Sequence, residues 1–295
     1  MDVDGGASRT AVLVCQGRAV ADGRLAADRF TDPTAMMFLR PDERRVVDQV
    51  RAGNAPSKWQ ERVSFELVQA CGEIMAARTV AIDDALREQL TPQLVILGAG
   101  LDGRAWRMSE LAEVAVFEID HPSSQRDKLD RLATVGGPPS LTGSLRFVPV
   151  DFSRDDLDTS LGSAGHHQTA ATTWIWEGVV PYLTREEVTT TMGLIRQRSA
   201  PGSRLVVSYQ VPGLTAGLGR LALQVVTKLA RRPNPLTGEP HRSTWTPTDM
   251  GQLLHNNGFT VSQDNDLFSL AELLPMPIRQ RRSLENGRVV VADLR

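Results

Sequence analysis

The spacing of apolar positions changes character near residue 91. Before it, apolar side chains recur at helical intervals: Val63, Leu67, Ala70, Ile74 and Ala77 share one face of a helix predicted from Lys58 to Leu90. Thr10 to Val20 also reads as helical, with Ser8 placed to cap its first turn. Asp32-Pro33 opens a short helix, because proline is tolerated where a first-turn N–H has no partner anyway. No strong strand interrupts this stretch, so residues 1–90 read as an N-terminal helical cap.

From Thr91-Pro92 onward, short apolar runs alternate with helical patterns. Leu94-Val-Ile-Leu97 is a continuous apolar run that enters Gly98-Ala-Gly100 at once, the signature of a buried parallel strand meeting a tight turn. Val114 to Phe117, Leu145 to Val150, Ala171 to Trp176 and Arg204 to Tyr209 are predicted as further strands. Helices from Ser123 to Leu132 and from Arg185 to Ser199 separate them, and Gly136-Gly-Pro-Pro139 is a loop. Thr246-Pro247 begins a helix to Asn257, and Phe259 to Gln263 and Arg288 to Ala292 are closing strands, with an excursion through Pro275-Met-Pro277 between them. The alternation predicts an α/β, Rossmann-like domain over 91–295: a mostly parallel seven-stranded sheet with helices on both faces. Val211 to Arg232 reads as a helix and Pro233 to Pro240 as a loop, making 211–246 a lid or insertion.

Composition narrows the partners. The net charge of −2 gives no general pull toward nucleic acid or an anionic membrane. Two cysteines, Cys15 and Cys71, lie far apart among apolar residues, and with five scattered histidines they make no zinc pattern, so no metal is expected. No basic region followed by an apolar run opens the chain, and no apolar stretch is long enough to span a bilayer. A cytoplasmic protein without membrane insertion is the expectation. Lysine appears only at Lys58, Lys128 and Lys228, a bias attributed to codon usage.

Glycines at 98, 100 and 103 satisfy G-x-G-x-x-G, the spacing that in dinucleotide enzymes brings a pyrophosphate to a helix N-terminus. Asp102, however, occupies the phosphate position, and a carboxylate there favours a cationic ligand over an anionic one. Acids then recur at strand ends, where open α/β sheets bind ligands: Glu118 and Asp120 after the second strand, Asp151 with Phe152 after the third, Glu177 after the fourth. An acid after strand two can take both ribose hydroxyls. One after strand three can accept from an adenine amino group while Phe152 covers the ring, and one after strand four can pair with the amino group of a methionine moiety.

Leu94-Val-Ile-Leu-Gly-Ala-Gly-Leu-Asp-Gly-Arg-Ala-Trp-Arg107, Phe117-Glu-Ile-Asp-His-Pro122, Val150-Asp-Phe152 and Trp176-Glu-Gly-Val-Val-Pro-Tyr-Leu183 together resemble the leucine carboxyl methyltransferase-like family, which includes bacterial polyketide carboxyl methyltransferases of the tetracenomycin type. Ser8-Arg-Thr-Ala11, Phe30-Thr-Asp-Pro33 and Ala77-Arg-Thr79 add to the resemblance, which runs in register from about residue 8 to 210. It implies a class I methyltransferase fold and S-adenosylmethionine as cofactor. By position, it implies that Arg78 clamps the methionine carboxylate with Arg9 near it, and that Gly98 and Gly100 line the cofactor. Asp120 would take the ribose, Asp151 and Phe152 the adenine, and Glu177 the amino group. Tyr182 resembles a tyrosine on the acceptor side. One departure is Gly103, where bacterial members usually carry threonine.

Methyl transfer from a sulfonium is an in-line displacement, so the enzyme chiefly aligns nucleophile, methyl and sulfur. No His/Asp pair suggests a general base: His166-His167 reads as solvated loop, and His121 as the cap of the next helix. A carboxylate acceptor, which needs no base, is therefore favoured for O-methyl transfer to a small molecule, natural-product or lipid-related. The acceptor pocket is assigned to the N-terminal helices and the segment from Val211 to Trp245, with Trp245, Arg242 and His241 as lining, and a homodimer partner could help shape it. Two alternatives stand: a non-catalytic binder of S-adenosylmethionine or S-adenosylhomocysteine, and a nicotinamide or flavin oxidoreductase.

Overall fold

The computed structural model describes residues 8–136, 139–152, 154–212 and 242–295. Four helices come first: α1 (Arg9–Ala21), α2 (Pro33–Phe38), α3 (Pro41–Ala52) and α4 (Trp59–Glu88). The sheet region then runs β1 (Gln93–Leu97), α5 (Arg104–Arg107), β2 (Ala115–Asp120), α6 (Pro122–Val135), β3 (Ser144–Pro149), α7 (Leu157–Ser163), β4 (Thr172–Trp176), α8 (Arg185–Gln197) and β5 (Arg204–Gln210). It closes with α9 (Pro247–Asn256), β6 (Phe259–Asp266), α10 (Leu267–Glu272), α11 (Arg281–Asn286) and β7 (Gly287–Leu294). The sheet order is β3-β2-β1-β4-β5-β7-β6, with β7 antiparallel to both its neighbours and the other pairs parallel.

The order reverses between β1 and β4, which leave in opposite directions from the middle of the sheet. A crevice opens there beyond the carboxyl ends of the strands, and ligands of such sheets sit in it. Both β1 and β4 are buried at every residue, as strands covered on two faces must be. On one face Trp174, Trp176, Leu205 and Val207 pack with Leu157, Val188, Met192 and Leu254. On the other, Leu94, Ile96, Val206 and Val291 pack with Ala77, Ile82, Ala85 and Leu86 of α4. The front half of α4 belongs to a separate cluster: Phe65 and Val68 meet Cys15 and Ala19 of α1, Phe38 and Trp106. Helix α4 thus ties the helical cap to the sheet.

Most boundaries follow the local chemistry anticipated for them. Ser8 Oγ accepts from Ala11 N at 3.1 Å, Asp32 Oδ1 from Ala35 N at 3.1 Å, and Thr246 Oγ1 from Asp249 N at 3.1 Å. His121 caps α6 through its ring nitrogen. Helices α3 and α7 were not anticipated, and the excursion before β7 contains α10 and α11. In α3 only Val47 and Val50 are buried and most other positions are charged, so it offers few apolar positions to read; in α7 only Leu157 and Leu161 are buried. The anticipated helix from Val211 and the loop to Pro240 lie almost wholly outside the described residues. Among the described residues no helix is long and apolar enough to cross a membrane.

One expectation is corrected in the core. His166 is buried, not solvated, with its ring 5.5 Å from both Phe117 and Trp174. Its Nε2 lies 3.0 Å from Thr172 Oγ1, and burial, helped by Arg198, pushes its pKa down to about 4.

Candidate active site

A cavity of about 760 Å³ fills the crevice. It is lined by the turn after β1, by the ends of β2, β3 and β4, by one face of α1 (Thr10, Ala11, Val14, Arg18) and by the first turns of α8. Of the residues singled out in the sequence, Arg78, Gly98, Gly100, Asp120, Asp151, Phe152, Glu177 and Tyr182 all line it. Arg9 does not: it is exposed at the start of α1, although its neighbours Ser8 and Thr10 are at the wall.

The glycines are required by geometry. Gly98 has φ +67°, and a Cβ there would come 2.3 Å from Val179 Cγ2. Gly100 has φ +50° and faces Ala11, whose Cβ would lie 3.1 Å from an added one. The turn can therefore approach both the helical cap and a ligand at backbone distance. At Gly103 a Cβ would meet Thr34 Oγ1 at 1.9 Å, so the space beside this glycine is filled from α2, where Thr34 Oγ1 donates to Asp32 Oδ1 at 2.5 Å.

Asp120 holds the turn from the β2 side. Its Oδ2 accepts from Gly100 N at 2.5 Å and its Oδ1 from His121 N at 2.7 Å. Burial raises its pKa despite these bonds. The Gly100 N–H, which a dinucleotide enzyme would offer to pyrophosphate, is thus occupied by a carboxylate. Helix α5 behind the turn has only four residues, too short to present a substantial dipole. Both features disfavour a diphosphate ligand.

Asp102 does so less directly than its sequence position suggests. Its carboxylate turns inward, accepting from Arg104 N at 2.7 Å and pairing with the Arg104 guanidinium. Arg104, with Arg18 and Lys128, overcomes burial to hold its carboxyl well below the usual range. It is not a free charge facing the ligand.

At the β4 end, Arg78 Nε donates to Glu177 Oε1 at 2.8 Å, and Arg104 Nη1 lies 3.0 Å from Glu177 Oε2. Burial opposes the charge on Glu177, but Arg78 and Arg104 outweigh it and lower its pKa. The network continues inward: Arg104 and Arg107 both bind Asp83, at 2.8 and 2.6 Å, and Arg18 Nε stands 2.9 Å from Asp32 Oδ2. Four acids (Asp32, Asp83, Asp102, Glu177) face four arginines (Arg18, Arg78, Arg104, Arg107), so this buried web is neutral. Such a web tolerates a zwitterion, which adds no net charge, better than a lone ion. Gly178, at φ +69°, leaves room beside the Arg78 guanidinium, 3.8 Å from where a Cβ would stand.

At the opposite end Phe152 is 45% exposed and available to cover a planar ring, and Asp151 Oδ2 lies 3.9 Å from His121 Nε2. Tyr182 closes a short turn, Val180–Tyr182, leading to α8. Of the acceptor-lining residues proposed near 241–245, Trp245 and Arg242 are not among the described lining residues. Trp245 is buried in the core with the Arg185 guanidinium 4.3 Å from its ring centroid; Arg242 is exposed beside Glu187; His241 lies outside the described residues. Sequence reasoning missed the buried cations Arg18, Arg104 and Lys128. An arginine among Ala19-Val20-Ala21, and a lysine in a chain that otherwise uses arginine, were the available signals.

The leucine carboxyl methyltransferase family model matches residues 11–196, which covers the cavity's walls from α1 to α8. The chain belongs to this family. A relative from Mycobacterium ulcerans named "Putative S-adenosyl-L-methionine-dependent methyltransferase" is 33% identical over 216 residues, 72% of this chain and 69% of its own length. A relative of the same name from Mycolicibacterium gilvum is 31% identical over 270 residues, 90% of this chain and 81% of its own. The solved structure of a DUF574 family protein from Streptomyces avermitilis has a TM-score of 0.58 at 13% identity, over 98% of each chain, and shows the shared fold. The family's cofactor is S-adenosylmethionine, and the chain is a methyltransferase by membership.

Proposed function

We propose that this protein is an O-methyltransferase whose acceptor is a small molecule, with a carboxylate oxygen as the nucleophile. The observation that carries the cofactor half is the Arg78–Glu177 pair at 2.8 Å, set at the end of a cavity that also holds Asp120, Asp151 and Phe152. The residues fit S-adenosylmethionine. Arg78 matches its carboxylate and Glu177 its ammonium, so each ligand charge meets an opposite one. Asp120 retains acceptor capacity for ribose hydroxyls, and Asp151 and Phe152 suit an adenine edge and face. Bound there, the cofactor supplies an activated methyl group; Gly98 and Gly100 give the backbone clearance to receive it.

The acceptor half rests on what the wall does not offer. Among the described lining residues the one imidazole, His121, is engaged at the cap of α6, where Nδ1 lies 2.7 Å from Ser123 Oγ. A nucleophile that is already anionic needs no proton removed. Tyr182 would orient it through its hydroxyl. The test is incubation with methyl-labelled S-adenosylmethionine and a panel of low-molecular-weight acids and phenols. Label released as methanol at alkaline pH supports an ester product; label stable to base contradicts the carboxylate reading.

A further inference from the structure

Beneath the cofactor turn two buried cations from different helices bind successive carbonyls. Arg18 of α1 donates through Nη2 to Leu101 O, and Lys128 of α6 donates through Nζ to Asp102 O at 2.8 Å. Each is anchored behind by an acidic side chain: Asp32 at 2.9 Å for Arg18, and Glu118 at 2.5 Å for Lys128. All four side chains are buried. Lys128 Nζ also stands 5.0 Å from the Trp106 ring centroid and 5.4 Å from that of Phe38, which fixes its position further.

We infer that Arg18 and Lys128 are positioning residues for the amino-acid end of the cofactor. The inference rests on the S-adenosylmethionine reading given above. A tight turn can exchange conformations by flipping a peptide plane. Here a flip at Leu101 or Asp102 would take a carbonyl away from a buried charge and leave that charge underserved. With both carbonyls held inward, the turn keeps the shape in which Gly98 and Gly100 line the cavity. Arg18 does this from the helical cap and Lys128 from the sheet's own helix, so the turn is held from both sides.

The role predicts selective damage. In the S-adenosylmethionine reading, Gly98 and the Arg78–Glu177 pair would meet the amino-acid end, whereas Asp151 and Phe152 would meet the nucleoside. Arg18→Met and Lys128→Met should therefore lower affinity for S-adenosylhomocysteine by about tenfold or more, and alter affinity for 5′-methylthioadenosine, which lacks the amino-acid tail, by less than about threefold. Calorimetry with both ligands, alongside far-UV circular dichroism, reads the ratio. Equal weakening of both ligands would mean general loosening and overturns the inference, as does no change in either. Should the methionine variants not fold, Arg18→Lys and Lys128→Arg keep the charge and should show the same selectivity at a ratio of about threefold; an unchanged ratio overturns the inference there too. Failure of the unmodified protein to bind S-adenosylhomocysteine would instead strike the cofactor reading itself.

Discussion

Arg78 and Glu177, 99 residues apart, meet at 2.8 Å where α4 passes the end of β4. The pair is buried yet borders the cavity, and Arg104 supports the free side of Glu177 at 3.0 Å. A zwitterionic ligand can insert by exchanging one neutral pairing for another, so the web stays balanced. Replacing Glu177 with Gln keeps the shape and removes the charge that would meet an ammonium. Affinity for S-adenosylmethionine should fall by roughly 1.5–3 kcal/mol, the range for a hydrogen bond to a charged group. Arg78→Ala should cost about as much from the carboxylate side. Unchanged calorimetric affinity in Glu177→Gln would move the amino-group contact elsewhere.

Gly103 and Thr34 share one tightly filled space. Gly103→Thr places a Cβ 1.9 Å from Thr34 Oγ1 in a buried corner. Overpacking of this kind costs about 1–3 kcal/mol. The double variant Gly103→Thr with Thr34→Ala should recover most of the loss. Urea midpoints of the four proteins test this, and additive losses in the double variant would contradict it.

Two buried groups should tilt the pH dependence of stability in opposite directions. Burial pushes Glu118 up from 4.5 to about 7, only partly offset by Lys128. The native state therefore holds a proton that the unfolded chain releases, and this group's contribution, full below 4.5, is lost as pH rises toward about 7. His166 is shifted down from 6.5 to about 4, so its contribution is full above 6.5 and lost as pH falls toward about 4. Relative to the parent, Glu118→Gln should make stability rise more steeply with pH between 4.5 and 6.5, and His166→Asn should make it rise less. Denaturant titrations across that window check both signs.

Tyr182 provides a way to separate acceptor from cofactor. It lines the cavity on the turn before α8. Tyr182→Phe should leave the affinity for S-adenosylhomocysteine within about twofold while lowering turnover of the acceptor found in the labelling screen. A loss confined to cofactor binding would place Tyr182 in the cofactor site.

The sheet was legible because its central strands carry apolar runs, Leu94 to Leu97 and Trp174 to Trp176, inside strands that are buried throughout. The strand-end acids were legible for the same reason, since each follows a well-marked strand. What could not be read were pairings between distant segments. Nothing local shows that Thr34 fills the space beside Gly103 or that Arg18 reaches Leu101 O. His166 was misjudged because the Gly-Ser character of its neighbours masks the aromatic slot between Phe117 and Trp174. Helix α3 escaped because a highly charged helix with two buried valines has too little apolar content to stand out.

The crevice between β1 and β4 is expected to bind S-adenosylmethionine and not a dinucleotide. Titration calorimetry of the purified protein with S-adenosylhomocysteine, and separately with NADH, tests it most directly. Saturable one-to-one binding of S-adenosylhomocysteine with no heat from NADH is the predicted result; saturable binding of NADH with none of S-adenosylhomocysteine would contradict it.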